Sequence, residues 1–354
     1  MKLSEGNSSL QPITWDSTAR CHVVPYSFHF VVGVVVALLA ILAICGNILV
    51  LCTYGRYASL RTSSNLFVIN LTVADMFMSS IDFPILSAMS FNGCWMLGLT
   101  GCQIYGVSSA ISSLVSINTL AMISFDRYIV VVHRLSPLHR LAKSTTGTII
   151  VTIWILSIIW SVLPLTGIGS YRLEGMGTSC TFNYVDRRPP HLWYFLTLVA
   201  FNFFIPLGLI IFSYWRILIS IRQIKKELKT LQGGCSITLL HRVETQAEIK
   251  TAITALFIIG TFCLAWTPYV AVAFLGLFGP EGVITPLISM FPNLLAKIST
   301  AANPILYSIG HPEVRKKMRK LLFVSHREPS WRPTSATVAH HSPAQSQICL
   351  STHL

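Results

Sequence analysis

Seven apolar runs, at about 27–54, 65–91, 100–132, 147–167, 192–219, 250–277 and 284–309, restrict this chain more than any other feature. Each meets the roughly 20 residues that an α-helix needs to cross a bilayer. Only 11% of the residues are charged, against about 25% in a soluble domain. The first run starts too far from Met1, and is too long, for a cleaved signal peptide. No fixed-period repeat is present. The fold class is therefore an all-α membrane protein, a seven-transmembrane-helix bundle with its termini on opposite sides of the membrane.

Orientation follows from the basic residues. With the N-terminus outside, the inner side holds 20 of the 26 Lys and Arg, counting Arg127 at the membrane edge. Lys2, Arg20, Arg172, Arg187 and Arg188 remain outside, and Lys297 is buried. The net charge of +13 thus describes a face beside anionic lipid rather than a nucleic-acid surface. The layout is an extracellular segment 1–26, a core 27–310, a short amphipathic eighth helix at 311–323 on the inner leaflet, and a cytoplasmic tail 324–354. The tail is Ser/Thr/Pro/His-rich and poor in aromatics, a disordered composition. A multi-pass cell-membrane protein results. Asn7-Ser8-Ser9 is a glycosylation sequon in the exterior segment. Asn70-Leu71-Thr72 has the same pattern inside a span and is set aside.

Polar residues inside the spans carry the functional signal. Lys297 is the one lysine within the last run, and a charge at that depth costs several kcal/mol, so it has to be paired, neutralised or used. Snorkelling to an interface is opposed by its distance from both helix ends. A desolvated lysine is also a good Schiff-base nucleophile toward an aldehyde. Asn303-Pro304 and Tyr307 follow it, the proline removing one helical hydrogen bond. In the second run Asp75 needs a partner, for which Asn47, Ser116, Ser299 and Asn303 are polar residues able to converge. No metal-ligand pattern stands out beyond room for a sodium ion near Asp75. Asp82 lies two helical turns beyond Asp75, so both face the bundle interior. Pro84, two residues on, is expected to kink the helix.

At the inner end of the third run, Asp126 can hold Arg127 beside Tyr128; such a pair also serves as an inert interfacial anchor, so alone it decides nothing. Cys21, Cys94, Cys102 and Cys180 fall in exterior regions, where disulfides persist. Cys102–Cys180 would staple the outer loop across the third helix, with Cys21–Cys94 a second pairing. The fifth helix carries Asn202, Pro206 and Tyr214 and runs on to Arg222–Lys229. The sixth is expected to begin around Glu244–Lys250 and passes Phe262 to Trp266-Thr267-Pro268-Tyr269.

Gly46-Asn47, Asp75, Asp126-Arg127-Tyr128, Trp266-Thr267-Pro268 and Asn303-Pro304 with Tyr307, in this order, resemble the rhodopsin-like class of G-protein-coupled receptors. A lysine six residues before the Asn-Pro pair, Tyr269, and Glu174-Gly175-Met176 six residues before Cys180 make the chain similar to opsins. The resemblance implies a receptor and no enzyme. It implies 11-cis-retinal bound covalently at Lys297, Trp266 and Tyr269 beside the polyene, and Asn202 in the pocket. Where vertebrate visual opsins carry a glutamate counterion this chain has Tyr105, so it looks like opsins that use the loop glutamate, here Glu174, and tend to be bistable. Asp82 is the competing or second counterion, since it is inward and nearer the outer side. The 60 residues between Pro206 and Trp266 and the His311-Pro312 pair resemble rhabdomeric, Gq-coupled opsins and melanopsins, although Glu313 departs from that group's lysine.

By the same resemblance the partner is a heterotrimeric G protein, with arrestin and a receptor kinase acting on tail serines and threonines. The terminal Ser351-Thr352-His353-Leu354 resembles a PDZ ligand. On the inner side Arg127 can pair with Asp126 and Glu248, and Tyr214 and Tyr307 are placed to stabilise an open form. Ile117, Pro206 and Phe262 are read equally well as core packing. Coupling to Gi/Go or Gs, a retinal photoisomerase of retinochrome type, and a transporter using Lys297 as an ion relay are the alternatives. The intact Asp126-Arg127-Tyr128 and the long basic inner loops favour the receptor over the photoisomerase. The Trp-Thr-Pro and Asn-Pro sets oppose the transporter.

Overall fold

A computed structural model describes residues 24–132, 141–230, 236–280, 282–310 and 312–323. Asn7, Cys21 with its pairing to Cys94, Arg134, Arg140 and the tail lie outside these residues. The helices are α1 (Tyr26–Arg56), α2 (Ser63–Asn92), α3 (Gly98–Val132), α4 (Lys143–Val162), α5 (Pro189–Val199), α6 (Ile205–Thr230), α7 (Ser236–Phe278), α8 (Pro286–Gly310) and α9 (Pro312–Phe323). A π turn, Ala200–Phe204, joins α5 to α6 into one fifth span. An antiparallel hairpin, β1 (Tyr171–Glu174) and β2 (Ser179–Phe182), stands between the fourth and fifth spans with Leu173 opposite Cys180.

Six of the spans are long and apolar enough to cross a membrane. The seventh, α8, is 25 residues long but less apolar. The reason lies in its inward stripe: Asn293, Lys297, Ser299, Thr300 and Asn303 are all buried in the bundle. Large apolar side chains instead point outward where lipid would lie, among them Leu38, Ile155 and Leu264. This inversion is what a bilayer solvent selects.

Local signals explain several helix ends. Thr62 caps α2, its side chain accepting from Asn65 N at 3.3 Å, and Gly93 closes the same helix at φ 71°. Pro84, Pro268 and Pro304 all sit within helices that continue past them. The sixth span begins at Ser236, two turns before the Glu244–Lys250 start expected from hydropathy. Polar residues there do not stop a helix that runs on into water, so the apolar boundary marks the membrane edge and not the helix end. In α9, Val314 and Met318 are buried while Arg315, Lys316, Arg319 and Lys320 are exposed, an amphipathic pattern. Lys317 Nζ anchors it at 2.6 Å from Ser59 Oγ.

Asn70 is buried, donates to Thr119 Oγ1 at 2.8 Å and accepts from Trp154 Nε1 at 2.8 Å, so it ties α2, α3 and α4 together. The hairpin caps one end of the bundle. A disulfide between Cys102 and Cys180 holds β2 to α3. Tyr171 OH donates to Ser161 O at 2.7 Å, and its ring lies on Gly106. A Cβ on Gly106 would come within 2.3 Å of that ring. Gly106→Ala is therefore expected to destabilise the protein by ~1–3 kcal/mol through overpacking. A lowered detergent melting temperature, restored by adding Tyr171→Leu, would bear this out, whereas an unchanged one would not.

Candidate functional site

Helix α8 sets Lys297 at 3% exposure in the outer half of the bundle. Its Nζ donates to Asn293 Oδ1, one turn earlier on the same helix, at 2.9 Å. Asn293 Nδ2 in turn donates to Ser179 Oγ at 3.1 Å and lies 3.5 Å from Glu174 Oε2. The other oxygen of Glu174 accepts from Tyr184 OH at 3.0 Å. The hairpin thus lowers a carboxylate into the site, and Asn293 links it to the lysine. Burial pushes the Glu174 carboxyl up to about 7, against the Tyr184 hydrogen bond and the charges of Lys297 and Arg172.

Asp82 approaches from α2, fully buried, and accepts a short hydrogen bond from Ser108 Oγ. Its Oδ2 has no protein partner, and neither has the buried Tyr105 hydroxyl. The Nζ of Lys297 is 5.6 Å from the centre of the Phe83 ring and 6.0 Å from that of Tyr105. Among the described residues neither carboxylate reaches within 4 Å of Lys297. Two acids therefore flank one cation without direct pairing.

From Lys297 a cavity extends between the third, fifth and sixth spans, walled by Ile117, Phe203, Phe262, Trp266, Tyr269 and Val270. Trp266 stacks on Phe262 with ring centres 5.4 Å apart and meets Tyr269 edge-on at 5.8 Å. Tyr269 is hydrogen-bonded to Thr181 of the hairpin. Asn202, carried on the π turn, adds an amide to this wall and accepts from Asn118 Nδ2 at 3.3 Å. A primary amine at one end of a long apolar space suits an apolar aldehyde, with the carboxylates available to balance a retained positive charge.

On the inner side Asp126 pairs with Arg127 at 2.5 Å, and Tyr214 OH donates to Ala252 O at 3.3 Å. The side chains of Glu248 and Tyr307 lie outside the described residues. Convergence on Asp75 is narrower than expected. Asn303 Nδ2 donates to it at 2.7 Å, but Asn47 Nδ2 bonds Ala43 O and Ser299 Oγ bonds Ala296 O. Short polar side chains on a helix satisfy themselves on the preceding turn at little cost. Ser116 is buried without a hydrogen bond to Asp75. No cluster of three or more metal-ligating side chains occurs among the described residues.

Asn293, Ser108, Ser179 and Tyr184 were not singled out from the sequence. Asn293 was within reach, because a residue four before Lys297 lies on the same helix face. Ser179 and Tyr184 arrive through the fold of the hairpin, which no spacing reveals.

The profile of the seven-transmembrane receptors of the rhodopsin family matches residues 46–307. A Gq-coupled rhodopsin of Mizuhopecten yessoensis is 34% identical over 88% of this chain and 65% of its own length. The rhodopsin of Enteroctopus dofleini is 34% identical over 85% of this chain and 67% of its own length. Human melanopsin is 35% identical over 92% of this chain and 71% of its own length. The chain thus spans about two thirds of these relatives. The crystal structure of squid rhodopsin superposes with a TM-score of 0.79 at 30% identity, covering 86% of this chain and 89% of that one.

Replacing Asn293 with Leu would strip Lys297 of its acceptor and Glu174 of a donor while keeping the branched side-chain outline. We expect a loss of ~1.5–3 kcal/mol, the range for hydrogen bonds to charged groups. The check is the detergent melting temperature of the variant, and no change would mean that the amide is dispensable.

Proposed function

Because this chain belongs to the rhodopsin family of seven-transmembrane receptors, we propose that it senses light through retinal held at Lys297 by a protonated Schiff base. Its relatives are receptors rather than enzymes, and it is a multi-pass membrane protein of the opsin type. The observation that carries the proposal is the buried primary amine at the head of an apolar cavity, with two carboxylates beside it. Retinal, taken as the 11-cis isomer, would supply visible absorption and a change of shape on illumination.

The residues of the chain do the rest. Lys297 binds, and Glu174 acts as principal counterion through Asn293, with Asp82 as modifier or second counterion. An unpaired cation in this setting would lose its proton, so these acids also set the colour. Trp266, Tyr269 and Tyr105 shape the wall, and the hairpin shuts out water. A loop counterion favours a bistable pigment. On the inner side, loosening of the Asp126–Arg127 pair and of any contact from Glu248 would free the sixth span to move, with Tyr214 and Tyr307 supporting the open form.

The partner is a heterotrimeric G protein, of the Gq class. Support for that class comes from the Gq-coupled rhodopsin of Mizuhopecten yessoensis and from the reach of α6 to Thr230 and of α7 back to Ser236. Arrestin, a receptor kinase and a PDZ protein are assigned to the tail, and the N-terminus with Asn7 to the extracellular side.

Lys297→Ala should abolish both the visible band and the acid-trapped retinal adduct, and with them a light-driven calcium rise in transfected cells. An adduct surviving in the mutant would refute the attachment, and a wild-type response confined to cyclic AMP would refute the Gq class.

For the counterion, the dark band is titrated with pH in Glu174→Gln and Asp82→Asn. Glu174→Gln should lower the Schiff-base pKa by several units and Asp82→Asn by less. The reverse order would exchange the two roles, and equal drops would make the pair one site.

A further inference from the structure

Two cavities meet at Glu174. The inner one is the apolar space described above. The outer one, about 800 Å³, lies between the hairpin, the start of α5 and the turn from the sixth to the seventh span. At ~30 Å³ per water it has room for many molecules. Its walls include Arg172, Tyr184, Asp186, Arg187, Ile284 and Ser289, and Arg187 brings it to the exposed outer surface. Among the described residues Glu174 alone lines both spaces.

Its two oxygens divide along the same boundary. Oε1 accepts from Tyr184, which lines the outer cavity and not the inner. Oε2 faces Asn293, the residue that holds Lys297, which lines the inner cavity and not the outer. The carboxyl group thus stands between the two spaces, bonded to Tyr184 of the outer one and facing Asn293 of the inner one.

We propose that Glu174 binds an extracellular proton delivered through the outer cavity, so that the receptor reads external pH as a second input beside light. The inference rests on the retinal reading of Lys297. The groups facing Glu174 are Tyr184 and Arg172 of the hairpin region, Tyr105 of α3, Tyr269 of α7, and Asn293 and Lys297 of α8, with Asp82 of α2 beyond the lysine. Lys297, Arg172 and the Tyr184 hydroxyl favour the charged carboxylate, while burial opposes it and prevails, leaving the group to titrate at about 7. Above that pH Glu174 is an anion and balances the charge at Lys297. Below it Glu174 is neutral and no longer balances that charge. Loss of an anion beside a positive chromophore end destabilises its ground state more than its excited state, so acidification outside moves the dark band to longer wavelength.

The test uses retinal-loaded, right-side-out membrane vesicles with the interior buffered, while the outer pH is stepped through about 5.5 to 8.5, either side of the Glu174 value. A spectral titration that depends on Glu174 is expected in the wild type within this range. Glu174→Gln should remove this acid-side red shift, leaving only a loss of visible absorbance as the Schiff base itself deprotonates toward the alkaline end. Tyr184→Phe, which deletes a hydrogen bond to the carboxylate, should keep the red shift with its midpoint raised. A visible band indifferent to outer pH, or one that follows inner pH, would overturn this proposal alone. Absence of any visible band would overturn the retinal reading and this proposal together.

Discussion

The ammonium of Lys297 is the group around which the outer half of this molecule is arranged. In a medium of low dielectric an isolated cation of this kind costs many kcal/mol, so the fold has to bring it polar company or leave it neutral. Company comes from three directions. Asn293 stands one turn away on the same helix, Asp82 approaches from α2, and Glu174 is lowered from the hairpin. None of the acids is in direct contact, which leaves the amine free for covalent use while its charge stays balanced. A buried ion pair at contact distance would stabilise the lysine in a form that does no chemistry.

The hairpin owes its depth to constraints of its own. The Cys102–Cys180 bridge fixes β2 over α3, and Tyr171 settles on Gly106, where only a missing side chain leaves room. These contacts place Glu174, Ser179 and Thr181 over the cavity as a group. One short strand pair thereby supplies a buried carboxylate, a roof over the cavity and a wall between two spaces. A rigid lid of this kind also keeps the carboxylate at a fixed distance, which a free loop would not.

Deeper in the bundle, several polar residues tie elements together: Asp75 with Asn303, Asn70 with Thr119 and Trp154, Asn118 with Asn202, while Asp126 holds Arg127. Each pair joins different elements or holds a charge at the membrane edge, because an unpartnered polar group there is expensive. The π turn at Ala200–Phe204 shows the same economy, since one irregular turn presents Asn202 to both Asn118 and the cavity.

Much of this was legible in the residue order. Spans are long apolar runs, and their count and the burial of Lys297 follow from hydrophobicity, which acts residue by residue. The resemblance carried by Asp126-Arg127-Tyr128, Trp266-Thr267-Pro268 and Asn303-Pro304 then pointed to the family, and the profile and relatives agree. Helix ends in water were misplaced, as at Ser236, because hydropathy marks where the membrane stops and not where hydrogen bonding does. The partners of Asp75 were overcounted, because Asn47 and Ser299 turn back to their own helices, a choice made by local rotamers. That Asp75 and Asp82 would be inside was set by the sequence alone, since both lie within an apolar run. That Glu174 reaches Lys297 only through Asn293, with one oxygen toward the outer cavity, was decided by tertiary structure. The distance between two side chains 123 residues apart (297 − 174) depends on how the hairpin is bridged and seated, and no local pattern carries that information.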